Sequence, residues 1–180
     1  MRSSRVLAVL LGLVLGATPL LAQGEHQRAS ANLLGIPFGV VSAEYEYMAT
    51  RELSWGLGAG IDNNTHSWAE AKIRFYPGAR GPDGLAVGMT AGVDRLRAFT
   101  GNDCLVICTE GSGPKGTAFT LGVLLDYGWL IGPTERFYVG TGVGAKRVYG
   151  LDDERDTDGG FITDYPKVLP VIRFQIGYTF

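Results

Sequence analysis

The sequence predicts an all-β fold, an eight-stranded antiparallel up-and-down transmembrane β-barrel. Three observations carry that expectation. Apolar residues alternate with polar or small ones at period two along most of the chain, the mark of strands with two different faces. Glycine reaches 27 of 180 residues, about twice the usual share of roughly 7%. Short turns alternate with longer, more polar connections, as in a hairpin barrel with one short-turn rim and one long-loop rim.

Composition excludes other classes. Hydrophobic residues make up 46% and charged residues 19% of the chain, too apolar for a disordered protein. The glycines have no triplet period, which excludes collagen. Two cysteines are too few for a disulfide scaffold or a four-thiolate zinc site. An acidic pI of about 5.7 gives no electrostatic reason to expect nucleic acid.

The N-terminus reads as an address. Arg2 and Arg5 form a basic head, Val6 to Ala17 is an apolar run interrupted only by glycine, and Pro19 precedes Leu20-Leu21-Ala22. This is the layout of a secretory signal peptide cleaved after Ala22. The run is too short for a membrane-spanning helix, which needs about 20 residues. Removing residues 1–22 takes two arginines away and leaves 14 basic and 18 acidic residues, a net charge of −4. Residues 23–28 then form a short N-terminal segment and 29–180 the barrel.

Strands are expected near 29–35, 39–49, 53–62, 67–76, 85–98, 117–130, 136–149 and 167–180. Ile172, Phe174, Ile176, Tyr178 and Phe180 alternate with Arg173, Gln175, Gly177 and Thr179. Tyr45 and Tyr47 alternate with Glu44 and Glu46, and Ala71, Ile73 and Phe75 alternate with Glu70, Lys72 and Arg74. Three glycine-rich stretches repeat one layout: Trp55–Gly60, Val87–Gly92 and Val139–Gly144. Turn signals fall at 50–52, 77–84 and 132–135. Longer or more polar connections are expected near 64, from 100 to 116 and from 150 to 166.

A soluble barrel would turn its charged face to water, whereas a membrane barrel inverts the facing. Small and charged residues form the narrower face, which suits a crowded eight-stranded interior. The apolar face carries Tyr47, Trp55, Phe75, Trp129, Phe137, Tyr178 and Phe180 towards the short-turn rim, as an interfacial aromatic belt requires. The expected lumen therefore holds Glu44, Glu46, Glu70, Asp94 and Asp126 against Lys72, Arg74, Lys146 and Arg173. Near-balance of charge points to a salt-bridged plug, because unpaired charge in a narrow interior is costly. An ion or proton path through the same residues is the alternative.

The terminal Phe180, with Phe174, Ile176 and Tyr178 on its face, resembles the C-terminal recognition strand of bacterial outer-membrane proteins. Glu44-Tyr45-Glu46, a short turn and Trp55–Gly60 are similar to the small OmpA/OmpX-like outer-membrane barrels. The resemblance spans residues 29–180. It implies outer-membrane lipids as surroundings, insertion by the outer-membrane assembly machinery, and no reaction. The expected role is structural or surface-interacting, through loops 100–116 and 150–166. A narrow channel for small solutes or a lipid A-modifying enzyme is the alternative.

Remaining motifs suggest little chemistry. Cys104 and Cys108 share the second long loop, and an oxidising compartment lets them pair as a disulfide. The acidic stretch Asp152–Asp158 partly matches a calcium loop, but Tyr165 stands where the bidentate glutamate belongs. Lipid A deacylases and palmitoyltransferases occur on this architecture, and the former place a histidine and a serine together on a strand. Here His66-Ser67 lies near Glu70, yet adjacent strand residues point to opposite faces. No catalytic, cofactor-binding or metal-binding residue is assigned, and no cofactor is expected.

Overall fold

A computed structural model of the chain describes residues 27–62, 66–97, 99–100, 115–151, 163–164 and 167–180. The expected signal segment 1–22, Cys104 and Cys108 with their expected disulfide, and the acidic stretch 152–158 lie outside the described residues. Ten strands lie among the described residues: β1 (Gln27–Asn32), β2 (Val40–Met48), β3 (Leu53–Asp62), β4 (His66–Phe75), β5 (Gly84–Arg97), β6 (Phe99–Thr100), β7 (Lys115–Ile131), β8 (Phe137–Tyr149), β9 (Thr163–Asp164) and β10 (Val168–Thr179). Eight of them close an antiparallel barrel in the order β1-β10-β8-β7-β5-β4-β3-β2. The remaining two, β6 and β9, pair with each other as a two-residue ribbon above the long-loop rim.

The register fixes the geometry. Following directly opposed residues from Tyr178 runs through Ala29, Tyr45, Leu57, Ala71, Ala91, Leu121 and Arg147, and returns to β10 at Val168. One circuit thus displaces the register by ten residues. Closure with that stagger tilts the strands by about 40° from the barrel axis.

Alternation decides what each face meets. Ile73 is 59% exposed and its neighbour Arg74 is 1% exposed. The same parity holds around the barrel: Leu57, Met89, Val123, Val143 and Ile172 face outwards, while Glu44, Lys72, Asp94, Asp126, Lys146 and Arg173 are buried. Water would not tolerate so large an apolar exterior on a monomer; this is the facing of a membrane barrel. On β7 the outward set runs from Phe119 to Trp129. Ten residues at this tilt span about 25 Å, the height of the apolar band in such barrels. At the short-turn end Tyr47 packs on Trp55 and Tyr127 on Trp129, with ring centroids 5.6 and 4.8 Å apart. At the long-loop end Phe119 faces Tyr149 across the β7–β8 pair, and the Arg147 guanidinium lies 5.4 Å from the Tyr149 ring centre.

Two expectations need correction. The first strand starts at Gln27 and stops at Asn32, instead of running from 29 to 35. Its start is set by the C-terminus: Gln27 and Phe180 exchange backbone hydrogen bonds of 3.1 and 2.8 Å, which draws residues 27 and 28 into the sheet. Its early end comes from a 3₁₀ turn at Ile36–Phe38, which Pro37 favours and Gly39 terminates with a φ of 78°. The β6–β9 ribbon lies at the edges of the two long connections, where alternation is too short to read.

The candidate functional site is the lumen

The barrel interior is filled by ionic side chains, one from nearly every strand. Glu44 and Glu46 come from β2, Glu70, Lys72 and Arg74 from β4, Asp94 from β5, Asp126 from β7, Lys146 from β8 and Arg173 from β10. Arg28 of β1, 2% exposed, joins them. With Arg28 the described interior holds five acids and five bases.

Two tiers can be separated. The lower tier lies towards the short turns and centres on Arg74. Arg74 Nε donates to Asp126 at 2.9 Å and Nη1 to Glu46 at 3.0 Å, and Nη1 also pairs with Glu44. Arg28 bonds Glu46 and lies 3.8 Å over the Tyr138 ring. Glu46 further accepts from the Tyr76 hydroxyl at 2.6 Å and from the Ser54 hydroxyl. Arg173 pairs with Glu44 at 3.2 Å and donates to Gln175 at 2.7 Å. Such dense mutual pairing is what lets charge survive in a space that excludes water.

The upper tier lies towards the long loops. Lys72 links the tiers, bonding Glu44 below and Glu70 at 2.9 Å above. Lys146 pairs with Glu70 and stands 5.7 Å from the Trp68 ring centre. His66 Nε2 lies 2.7 Å from Asp94 Oδ1, stacks on Trp68 at 4.8 Å, and Asp94 also accepts from the Thr120 hydroxyl. A cavity of about 290 Å³ occupies this tier, bordered by Glu70, Lys72, Lys146, Arg173, His66 and Trp68.

Inner-face glycines make room for these side chains. A Cβ at Gly142 would run into the Asp126 carboxylate, and one at Gly60 into the Trp68 ring. The glycine-rich repeats Trp55–Gly60 and Val139–Gly144 are therefore the seats of neighbouring large lumenal groups.

The structure brings all nine sequence-derived lumenal residues into this one interior. It does not bring Ser67 to His66: the histidine's partner is Asp94, and the nearby hydroxyl, Thr120, donates to Asp94 rather than to the ring. Of the residues expected to form a recognition strand, Phe174 and Tyr178 are exposed on the outer face, with Ile176 and Phe180 half-buried. Sequence reading missed Arg28, Tyr76 and Tyr138. Arg28 and Tyr138 sit in phase with inward neighbours, Ser30 on β1 and Gly140 on β8. Tyr76 closes the expected strand 67–76, in phase with the inward Lys72 and Arg74.

No protein-family model matches the chain, and no curated protein matches it. Among solved structures, the N-terminal β-barrel domain of Pseudomonas aeruginosa OprF is similar over 87% of this chain and 98% of that one, with 16% identity and a TM-score of 0.44. The chain's own pairing shows the fold: a closed eight-stranded antiparallel barrel with a lipid-type exterior and a charged interior.

Proposed function

We propose that the protein is a non-conducting outer-membrane barrel, plugged by its own ion pairs, that acts at the cell surface through its long-loop rim. The observation that carries this reading is the lower tier. Arg74, 1% exposed, crosses the bore to reach Glu44 and Glu46 on one side and Asp126 on the other. Arg28, Tyr76 and Tyr138 pack beneath it. An eight-stranded bore is narrow enough for side chains alone to fill, and opening it would separate several buried ion pairs at once. The exterior supports a lipid setting, and the long connections share one rim. No catalytic role is assigned to the lumen: the His66–Asp94 pair meets a hydroxyl that serves the carboxylate.

The test joins fractionation with planar-bilayer recording. The chain should fractionate with the outer membrane and migrate faster on gels before boiling, because a closed barrel sheet resists detergent. Purified protein should give no unitary conductance steps. Reproducible steps would favour the narrow-channel reading, and recovery as a soluble protein would overturn the membrane assignment.

A further inference from the structure

The barrel closes between β1 and β10, but among the described residues that seam is shorter than the one on the other side of β10. β10 pairs with β8 from Val168 to Tyr178, but with β1 only from Gln175 to Thr179. One further bond, from Leu33 N–H to the Phe174 carbonyl, extends that seam before the chain turns away. Residues Val168–Arg173 therefore present an edge that no barrel strand covers. Val168 stands opposite Arg147, the residue that marks the long-loop interface beside Tyr149. From there β10 descends into the apolar band, so the open edge lies at lipid depth, in the leaflet on the long-loop side.

An open strand edge facing hydrocarbon is costly, and backbone without partners is tolerated at that depth where it lines a cavity. Both conditions show here. Phe174 turns its backbone N–H and carbonyl towards β1, giving bonds to Asn32 Oδ1 at 3.0 Å and from Leu33 N at 2.8 Å. By period two, residues 172 and 170 turn theirs to the same open side. Residue 170 is proline, which has no N–H to leave unpaired. The lumenal cavity reaches this edge: Leu34, Gly35, Leu169, Pro170 and Ile172 line it together with Arg173. Leu34 and Ile172 are also exposed on the outside, at 43% and 64%. The cavity thus runs from the charged interior through the wall to the lipid-facing surface. At its inner end stands Arg173, 6% exposed, whose Nη1 makes no hydrogen bond among the described residues and lies 3.6 Å from Asp126 Oδ2 in an ion pair.

We propose that the gap between β10 and the β1–β2 turn is a lateral portal, through which a long acyl chain from the surrounding leaflet enters the cavity and sets its carbonyl oxygens near Arg173 and Lys146. The ligand chemistry is an acyl chain with a carbonyl acceptor, supplied either by a free fatty acid or by an intact phospholipid. The apolar rim of Leu34, Leu169 and Ile172 suits the chain, and the cationic Arg173 and Lys146 that border the cavity suit the carbonyl.

Photocrosslinking in phosphatidylcholine vesicles tests this. One arm carries a diazirine-bearing stearic acid and the other a phosphatidylcholine with the same diazirine chain. Adducts are mapped by peptide mass spectrometry. Outward residues such as Ile73 and Val123 should be labelled in both arms and serve as the internal reference. Labelling of Glu44, Glu70 or Trp68 supports the portal, and the arm that produces it names the source. Ser42→Phe, which places a ring in the cavity, should cut lumenal labelling at least fivefold and leave the reference unchanged. If Ser42→Phe does not fold, judged by heat-modifiable migration, Leu34→Arg at the mouth serves the same purpose. Labelling confined to outward residues in the wild type, or lumenal labelling indifferent to the folded blocking variant, would overturn the proposal.

Discussion

The two ends of the lumen use the same side-chain chemistry to different effect. Towards the short turns, Arg74, Arg28, Glu44, Glu46 and Asp126 interlock with Tyr76 and Tyr138. Towards the long loops, Lys146, Glu70, His66 and Asp94 line a cavity. The difference lies partly in the cations. A guanidinium presents five donors in a planar fork and can hold several carboxylates at once, whereas an ammonium is a compact point charge on a flexible stem. The lower tier has three arginines, the upper two lysines and a histidine. The same ion-pair content therefore makes a plug at one end and a vestibule at the other.

The sharpest way to break this contrast is to remove the guanidinium that organises the plug. Arg74→Ala leaves Glu44, Glu46 and Asp126 without their shared partner. Removing one member of a fully buried network costs roughly 3–5 kcal/mol. Denaturant unfolding in lipid vesicles should show that loss, and planar bilayers should show whether the bore opens with it. A loss below about 1 kcal/mol would mean that water already reaches the lower tier.

A second substitution asks whether that tier is tightly packed as well as charged. Gly142→Ala sets a methyl group against Asp126, in the space the carboxylate needs to meet Arg74. Overpacking of a filled interior costs about 1–3 kcal/mol. An unchanged unfolding midpoint would show that the tier has room to yield.

Much of this interior is legible from parity alone. Glu44 and Glu46 between tyrosines, and Glu70, Lys72 and Arg74 between apolar residues, can face only one way if Tyr45, Ile73 and Phe75 meet lipid. What parity cannot supply is where a strand stops. Arg28 escapes because the segment before residue 29 carries too few residues for alternation to register, and its inclusion depends on Phe180, far away in sequence. The open edge of β10 escapes for the same reason: it exists because β1 is six residues long and its neighbour twelve, a relation between strands that no local pattern records. The cavity follows from both. Cys104, Cys108 and the acidic stretch 152–158 belong to long connections outside the described residues, and their readings stay those of the sequence.

The upper tier should yield less on mutation. Lys146→Ala removes one of the two lysine partners of Glu70 and the cation beside Trp68. A buried hydrogen bond to a charged group contributes about 1.5–3 kcal/mol, but here the cavity lets water solvate the carboxylate left behind. The expected loss is about 1–2 kcal/mol by denaturant unfolding, clearly below that of Arg74→Ala. Equal losses would erase the distinction between plug and vestibule.

The smallest effect is expected one residue further on, and it separates facing from charge. Arg147 carries the same charge as Lys146 and occupies the next position on β8, yet it is exposed on the outer face, with its guanidinium 5.4 Å from the Tyr149 ring centre. No buried acid depends on it in the lumen. What Arg147→Ala removes is an exposed cation–π contact, which contributes about 0.5–1 kcal/mol, together with whatever the long-loop interface gains from a cation. The expected loss is therefore at most about 1 kcal/mol, read by the same unfolding measurement. It should shrink in high salt, because exposed charge is screened where buried charge is not. The Lys146→Ala loss should hold steady under the same change. If the two neighbours responded alike in size and in salt dependence, the alternation that assigns one to the lumen and the other to the membrane surface would lose its energetic meaning on this strand.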